Sequence, residues 1–532
     1  MRWLGEALRQ ADRASTAAET RRAPLVVFLV AVGVWWLQAI ALPLTGGRDF
    51  GTYLGAYVEL FQSDPIDLGY VLGRTPVAPL VVGGLLDPLG GALAEPGVSL
   101  LYAASITAWF LAARSFGGRA ALLTVVVLLL YPSYGILFHE ISSDTVFAVA
   151  FAGWSLLLVR VLLYPRPAGF AFVGAGVALL VLVRPGNQAL LVLVALPFLV
   201  AMSWRARIAS AAAFVACAVG LLALWTVHNG VRFGDYTVAR GGNSRLPFER
   251  VFLTERIVRP ENGPASRRLA EAVKRELLPE EPYRSYGIGF DDFFSDPSPR
   301  MKDDLGALAI RLDGWESDER LLREAGIEAV RAHPGPYARG VAQTVWDLLH
   351  LSVFRPLDSG GSEGGGPTVT AGSTLPVPTE GERIPSAHES GPTTRDRSIY
   401  TVWTSPTEHH LVFVHASDEV RYRALHRRID ALQGNLPDRT GNATLARRFN
   451  QSSRWFPPPV LWLAIGLVAL AVRRPSNALE LSAPAIAAFI VIVLSALAIA
   501  AIPHYPVPVT PAFALLGAAA LLAPASRRTV RG

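Results

Sequence analysis

Residues 24–57 read PLVVFLVAVGVWWLQAIALPLTGGRDFGTYLGAY. The run from Pro24 to Leu44 is apolar and long enough to cross a bilayer, which takes about 20 mostly apolar residues. It ends on Arg48-Asp49, with Tyr53 and Tyr57 one and two helical turns beyond. A charged couple where a chain leaves hydrocarbon is a costly placement. It points either to a functional group at the mouth of a site or to an interfacial ion pair or helix cap.

The rest of the chain repeats the pattern. Of 532 residues, 51% are hydrophobic and 17% charged, against about 25% charged in an average soluble domain. Ten apolar runs are candidate spans: 24–44, 98–114, 119–138, 143–163, 168–184, 187–203, 208–228, 456–472, 482–502 and 507–524. Pro185-Gly186 separates the fifth from the sixth, which therefore form a tight hairpin or one broken helix. The N-terminal segment 1–23 is polar and Arg-bearing, so the first run reads as a signal anchor and not as a cleaved leader.

Lysine occurs only at Lys274 and Lys302, so nearly all positive charge is arginine. These arginines fall between apolar runs and form no dense basic cluster interleaved with aromatics. Nucleic acid is therefore not an expected partner. The lone Cys217 lies inside an apolar run, which excludes an internal disulfide and a cysteine-based zinc site.

Orientation follows from the arginines of the short loops. With 1–23 in the cytoplasm, Arg114/Arg119, Arg160/Arg166, Arg205/Arg207, Arg473/Arg474 and the tail with Arg527, Arg528 and Arg531 all fall inside. Both termini are then cytoplasmic. Loop 45–97, the turns at Glu140, Arg184 and His504, and segment 229–455 face outward. Four units follow: 1–23; a core of about seven helices, 24–228; an extracytoplasmic insertion, 229–455, with a Gly/Ser/Pro-rich flexible stretch at 356–398; and a C-terminal helical part, 456–532. The fold class is all-α polytopic membrane protein, with about ten transmembrane helices and a large α-rich or irregular extracytoplasmic insertion.

Four outward turns carry the ionisable groups: Arg48-Asp49; His139-Glu140-Ile-Ser-Ser-Asp144; Arg184-Pro-Gly-Asn187; and His504-Tyr505 between prolines. Each has a plainer reading. Ser142, Ser143 and Asp144 cap a helix, Arg184 snorkels, and His504-Tyr505 belongs to an interfacial aromatic belt. His139 and Glu140 admit a divalent cation, on weak spacing. Taken together on one face, carboxylates, cations and phenols suit an anionic, lipid-attached substrate.

The order of several short patterns resembles the GT-C integral-membrane glycosyltransferases, in the branch of protein O-mannosyltransferases and lipid A aminoarabinose transferases. These are RDFGTY at Asp49, RTPVAPLVVGGLLDPLGG from Arg74, FGGRAALL from Phe116, YPSYGILFHE followed by SSD, LVRPGNQALLVLVALPFL, HNGVRFGDYTVARGGNS, HPGPYARGVAQTVWDLL and HYPVPVTPAFALL. The pattern departs at His504, where the family often has Arg, and residues 356–455 match nothing in it. The resemblance implies a GT-C-like fold and transfer of a hexosyl or pentosyl group, mannose and arabinofuranose both fitting. The donor is a polyprenyl-phosphate sugar and the acceptor a cell-envelope glycan, lipid or protein. It implies inversion with Asp49 as general base, Glu140 and Asp144 as assisting carboxylates, and Arg48, Arg74, Arg184, His504 and Tyr505 at the donor phosphate. Tyr53, Tyr57, Asn187 and His139 are then expected around the substrate. No cofactor is required, although a divalent cation is compatible. The alternative from another class is a transporter or flippase of lipid-linked glycans; the lack of an internal repeat and the one-sided placement of polar groups favour the enzyme.

Overall fold

The structure is a computed structural model that describes residues 13–242, 248–351, 393–395, 398–403, 409–498, 502 and 504–522. The expected flexible stretch falls largely on 352–392 and the basic tail on 523–532, both outside the described residues.

Each of the ten apolar runs contains helix among the described residues. In chain order, α1 is Ala23–Gln38, β1 Thr45–Gly46, α2 Phe50–Leu60, α3 Val77–Leu86, α4 Ala94–Arg114 and α5 Gly118–Leu129. Then come β2 at Glu140–Ile141, α6 Ser143–Leu163, α7 Pro167–Val183 and α8 Trp204–Phe233. The run at 187–203 is different in kind: a 3-10 segment, Pro185–Ala195, runs into the short helix Leu196–Leu199. Arg184 stands extended between α7 and this segment (φ −146°, ψ 115°), so the two are separate elements. Pro185 explains the break, because proline pushes its predecessor out of the helical region.

Local sequence sets the ends. Ser142 accepts from the Thr145 amide at the start of α6, and Ser203 from the Ala206 amide at the start of α8. Gly234, at φ 67°, closes α8 in the left-handed conformation that favours glycine. Five stretches among the described residues are long and apolar enough to cross a membrane: α4, α6, α8, Ala443–Arg473 and Ala478–Ala498. Helix α3, ten apolar residues, is too short to register as a span and was not expected.

The insertion contains its own core. Helices α9 (Pro264–Ala272), α10 (Pro299–Asp313) and α11 (Arg320–Ala332) pack around Phe252, Leu269, Phe293, Met301, Leu305 and Leu322, all buried. Helix α12, Pro334–His350, joins this unit to the bundle. The joint is the fully buried Arg250, which pairs with Glu255 at 2.5 Å and donates to Thr344 of α12 and to the carbonyl of Ala496. A buried pair of this kind is a poor source of stability but a strict one for geometry.

After the undescribed stretch, β3 (Ile399–Trp403) and β4 (His409–Phe413) form an antiparallel hairpin that the helical reading of the insertion did not anticipate. Helix α13, Ala416–Gln433, then lies on α2. Arg421 reaches Asp64 at 3.0 Å, Arg428 binds Asp87, Asn435 donates to the Leu86 carbonyl, and Arg439 meets Glu95 at 2.6 Å. The returning chain is thus clamped along loop 45–97. Helices α14 (Ala443–Ser452), α15 (Pro459–Arg473), α16 (Ala478–Ala498) and α17 (Thr510–Leu522) complete the bundle.

Candidate active site

Two residues of backbone pairing bring the first two charged turns together. Strands β1 and β2 run parallel, Thr45 opposite Glu140 and Gly46 opposite Ile141. The Thr45 amide donates to the His139 carbonyl at 2.9 Å and the Gly47 amide to that of Ile141 at 3.1 Å. Gly47 is required by this approach: a β-carbon there would lie 2.9 Å from Glu140 Oε2 and from Ser142 Cβ.

Asp49 then turns the chain into α2 with φ 58°, a left-handed conformation that Asp and Asn adopt more readily than most residues. It occupies the cap position without a capping hydrogen bond from its side chain. Instead the carboxylate pairs with Arg74 at 3.2 Å. Its sequence neighbour Arg48 points elsewhere, donating to the Tyr505 hydroxyl at 3.4 Å. The predicted Arg48-Asp49 couple is therefore split between two partners.

From these two residues the contacts close into a ring. The Tyr505 ring lies 5.7 Å from the Arg184 guanidinium. Arg184 donates to Ser143 Oγ at 3.2 Å and to Asp144 Oδ1 at 2.5 Å. Ser143 also accepts from the Tyr53 hydroxyl at 2.7 Å. The Tyr53 ring sits 5.6 Å from the Arg74 guanidinium, and Arg74 returns to Asp49. Glu140 and His504 lie beside this ring, 3.8 Å apart and both buried. Five separated stretches of chain supply it: the turn at 47–49 leading into α2, the turn at Arg74, the start of α6, the end of α7 and the turn before α17.

Electrostatics distinguish its members. Asp144 and Glu140 are 1% and 0% exposed, whereas Asp49 keeps 25%. Arg74 and Arg184 each face a carboxylate. Arg48 makes no ion pair within 4 Å among the described residues, and Tyr505, then Asp49 and Asp144, hold its charge firmly in place, raising its pKa above the usual value.

Three expected substrate-binding residues are engaged elsewhere. His139 is buried and stacked on Trp35, ring centroids 4.7 Å apart and 10° from parallel. Burial, then the charge of Arg439, lowers its pKa to about 3. Asn187 donates to the Leu180 carbonyl at 2.9 Å, closing the end of α7. The Tyr57 hydroxyl donates to Asp87 at 3.0 Å, beside Arg428 of α13. Conversely, Ser143 joins the ring although sequence reading assigned it only to a cap; a serine that bonds both an Arg and a Tyr leaves no local signal. Among the described residues no three His, Cys, Asp or Glu side chains gather as metal ligands.

Residues 96–228 match the family described as dolichyl-phosphate-mannose-protein mannosyltransferase. The chain resembles a GT-C membrane glycosyltransferase. The match covers α4 to α8, the part of this GT-C-like chain that supplies Ser143, Asp144 and Arg184. A crystal structure of ArnT from Cupriavidus metallidurans bound to undecaprenyl phosphate is 16% identical over 94% of this chain and 78% of that one, with a TM-score of 0.32. The apo state of the same protein gives 14%, 93%, 77% and 0.29. Overlap at that level leaves the family match as the informative one. No curated protein matches the chain significantly. The family match and the apolar helices together place the protein in a membrane.

Proposed function

We propose that the protein moves a sugar from a polyprenyl-phosphate donor to an extracytoplasmic cell-envelope acceptor, with inversion, and that Asp49 is the general base. The observation that carries this reading is the difference in access among the three clustered carboxylates. A base must touch the acceptor, and of the three it is Asp49 that stays open, at 25% exposure against 1% and 0%.

The acceptor hydroxyl gives its proton to Asp49 as its oxygen bonds to the anomeric carbon. The bond from that carbon to the phosphate oxygen breaks on the opposite face. The lipid phosphate leaves with one more negative charge than it brought. Arg48, Arg184 and the Tyr505 hydroxyl meet that charge; fixed donors of this kind stabilise a leaving anion without having to reorganise. Arg74 holds the Asp49 carboxylate, Asp144 holds Arg184, and Glu140 backs His504. A monophosphate can be met by arginines alone, so the reaction is written without a cofactor. The family match, whose description names a lipid-phosphate sugar, supports the donor class.

The test is a transfer assay with the purified chain, a panel of hexosyl and pentosyl polyprenyl phosphates and envelope-derived acceptors, beside Asp49→Asn. General-base loss lowers turnover by about 10²–10⁴. Wild-type rates in that variant remove Asp49 from the chemistry. No turnover with any donor removes the enzyme itself.

A further inference from the structure

Residues 439–479 contain six arginines and not one acidic residue. Arg439 is satisfied by Glu95, and Arg473 and Arg474 lie at the far end of α15. The other three, Arg447, Arg448 and Arg454, are exposed and have no carboxylate within 4 Å among the described residues. They stand on and just after α14, which rests on the bundle through Ala446 and Phe449 and has no buried residue of its own.

The height of α14 in the fold says what covers it. Its cap residue Asn442 donates its amide to the Ile40 carbonyl, just beyond the end of apolar α1, where the Ile40 side chain is 59% exposed. Its other end leads within a few residues to Pro459, the start of apolar α15. Between them Trp455 is 88% exposed, the most open large hydrophobic side chain among those described. In a chain whose apolar helices cross a bilayer, a segment bracketed by two helix ends lies at headgroup depth. There an indole is at home with one face in the acyl boundary, and guanidinium groups match phosphodiesters in geometry and charge.

We propose that Arg447, Arg448, Arg454 and Trp455 form a binding site for the headgroups of anionic bilayer phospholipids. A zwitterionic headgroup carries no net charge and leaves the arginines uncompensated, whereas an anionic headgroup neutralises them beside an indole seated in the acyl boundary. This inference is independent of the transfer reaction.

Native mass spectrometry of the full chain in detergent, titrated with equal phosphatidylglycerol and phosphatidylcholine of one acyl length, reads the preference directly. Each arginine near an anionic surface is worth about a fivefold change in binding. The wild type is expected to retain phosphatidylglycerol at least about tenfold over phosphatidylcholine. R447Q/R448Q/R454Q is expected to lose that preference, R447K/R448K/R454K to keep most of it, and R473Q/R474Q to leave it intact. The lysine variant separates charge loss from misfolding. The site is overturned by a wild type without preference, by a glutamine variant that keeps it, or by dependence on Arg473 and Arg474. It is equally overturned if a lipid-free anionic glycan displaces phosphatidylglycerol at matched concentration, since the occupant is then not the bilayer.

Discussion

Arg184 meets the Asp144 carboxylate at 2.5 Å, and the two differ sharply in access: 20% of the Arg184 side chain is open against 1% of Asp144. The arginine therefore links a shielded anion to the accessible side of the ring. Removing one member of such a pair leaves a buried charge uncompensated, at about 3–5 kcal/mol.

Arg184→Ala is accordingly expected to lower the thermal midpoint of the purified protein more than Asp144→Ala/Arg184→Ala does. Arg184→Lys keeps the charge, but one ammonium cannot serve Ser143 and Asp144 in the guanidinium's planar geometry. That variant should fold near-normally and bind donor lipid more weakly. Equal melting of the single and double alanine variants would show that the pair is not the structural unit described here.

Gly47→Ala tests the seating of the Asp49 turn. The added methyl must displace Glu140 or the turn itself, so turnover should fall at least about tenfold through misplacement of the base. Ser142→Ala, which removes the cap and the contact with the Thr145 hydroxyl, should cost about 1 kcal/mol of stability and little activity. Comparable loss of activity from both would mean that Gly47 acts through general destabilisation.

His139→Phe should leave both stability and the pH–rate profile unchanged, because the ring is an uncharged stacking partner of Trp35. His139→Ala removes that ring from a closed core and should destabilise by about 2–4 kcal/mol. A pH profile altered in the phenylalanine variant would restore His139 to the substrate-binding set.

A pH effect on stability is expected at the loop clamp. Burial raises the Glu59 pKa to about 7 and that of Asp67 to about 6, against the opposing pull of backbone amides that donate to them. Asp67 accepts from the Thr393 amide at 3.0 Å, where the insertion returns to loop 45–97. Both folded-state values lie above the unfolded ones of about 4. The folded chain therefore holds more protons between about pH 4 and 7. This contribution to stability is complete below pH 4 and is lost as pH rises through 6 and 7. Thermal unfolding in detergent should show wild type losing stability from pH 5 to 7.5, with a flatter response in Glu59→Gln/Asp67→Asn. Equal slopes would exclude these carboxyls as the cause.

The helical bundle was readable from apolar run length because bilayer thickness imposes a narrow range, and five of the described stretches reach that length. The clustering of charge at four turns was readable because such groups are expensive at that depth. Pairings were not. Nothing local tells Asp49 to choose Arg74 over Arg48; that choice is made by the left-handed turn at Asp49 and the approach of Gly47 to Glu140. Helix α3 was hidden by its ten-residue length, and the hairpin of β3 and β4 by its short, isolated alternation just after a low-complexity segment. The clamp of α13 on loop 45–97 joins residues hundreds of positions apart through arginines that look like any others on a solvated helix.

Arg48 and Tyr505 stand 457 positions apart in the chain, so the ring of contacts joins stretches that are remote in sequence. Synthesis of the chain therefore delivers Arg48 long before Tyr505. Any product that stops short of residue 505 leaves Arg184 without one of its aromatic neighbours and Arg48 without its hydroxyl, whatever the state of the intervening helices. Termination before Tyr505 should therefore leave the ring open at that point, even where the preceding helices have formed.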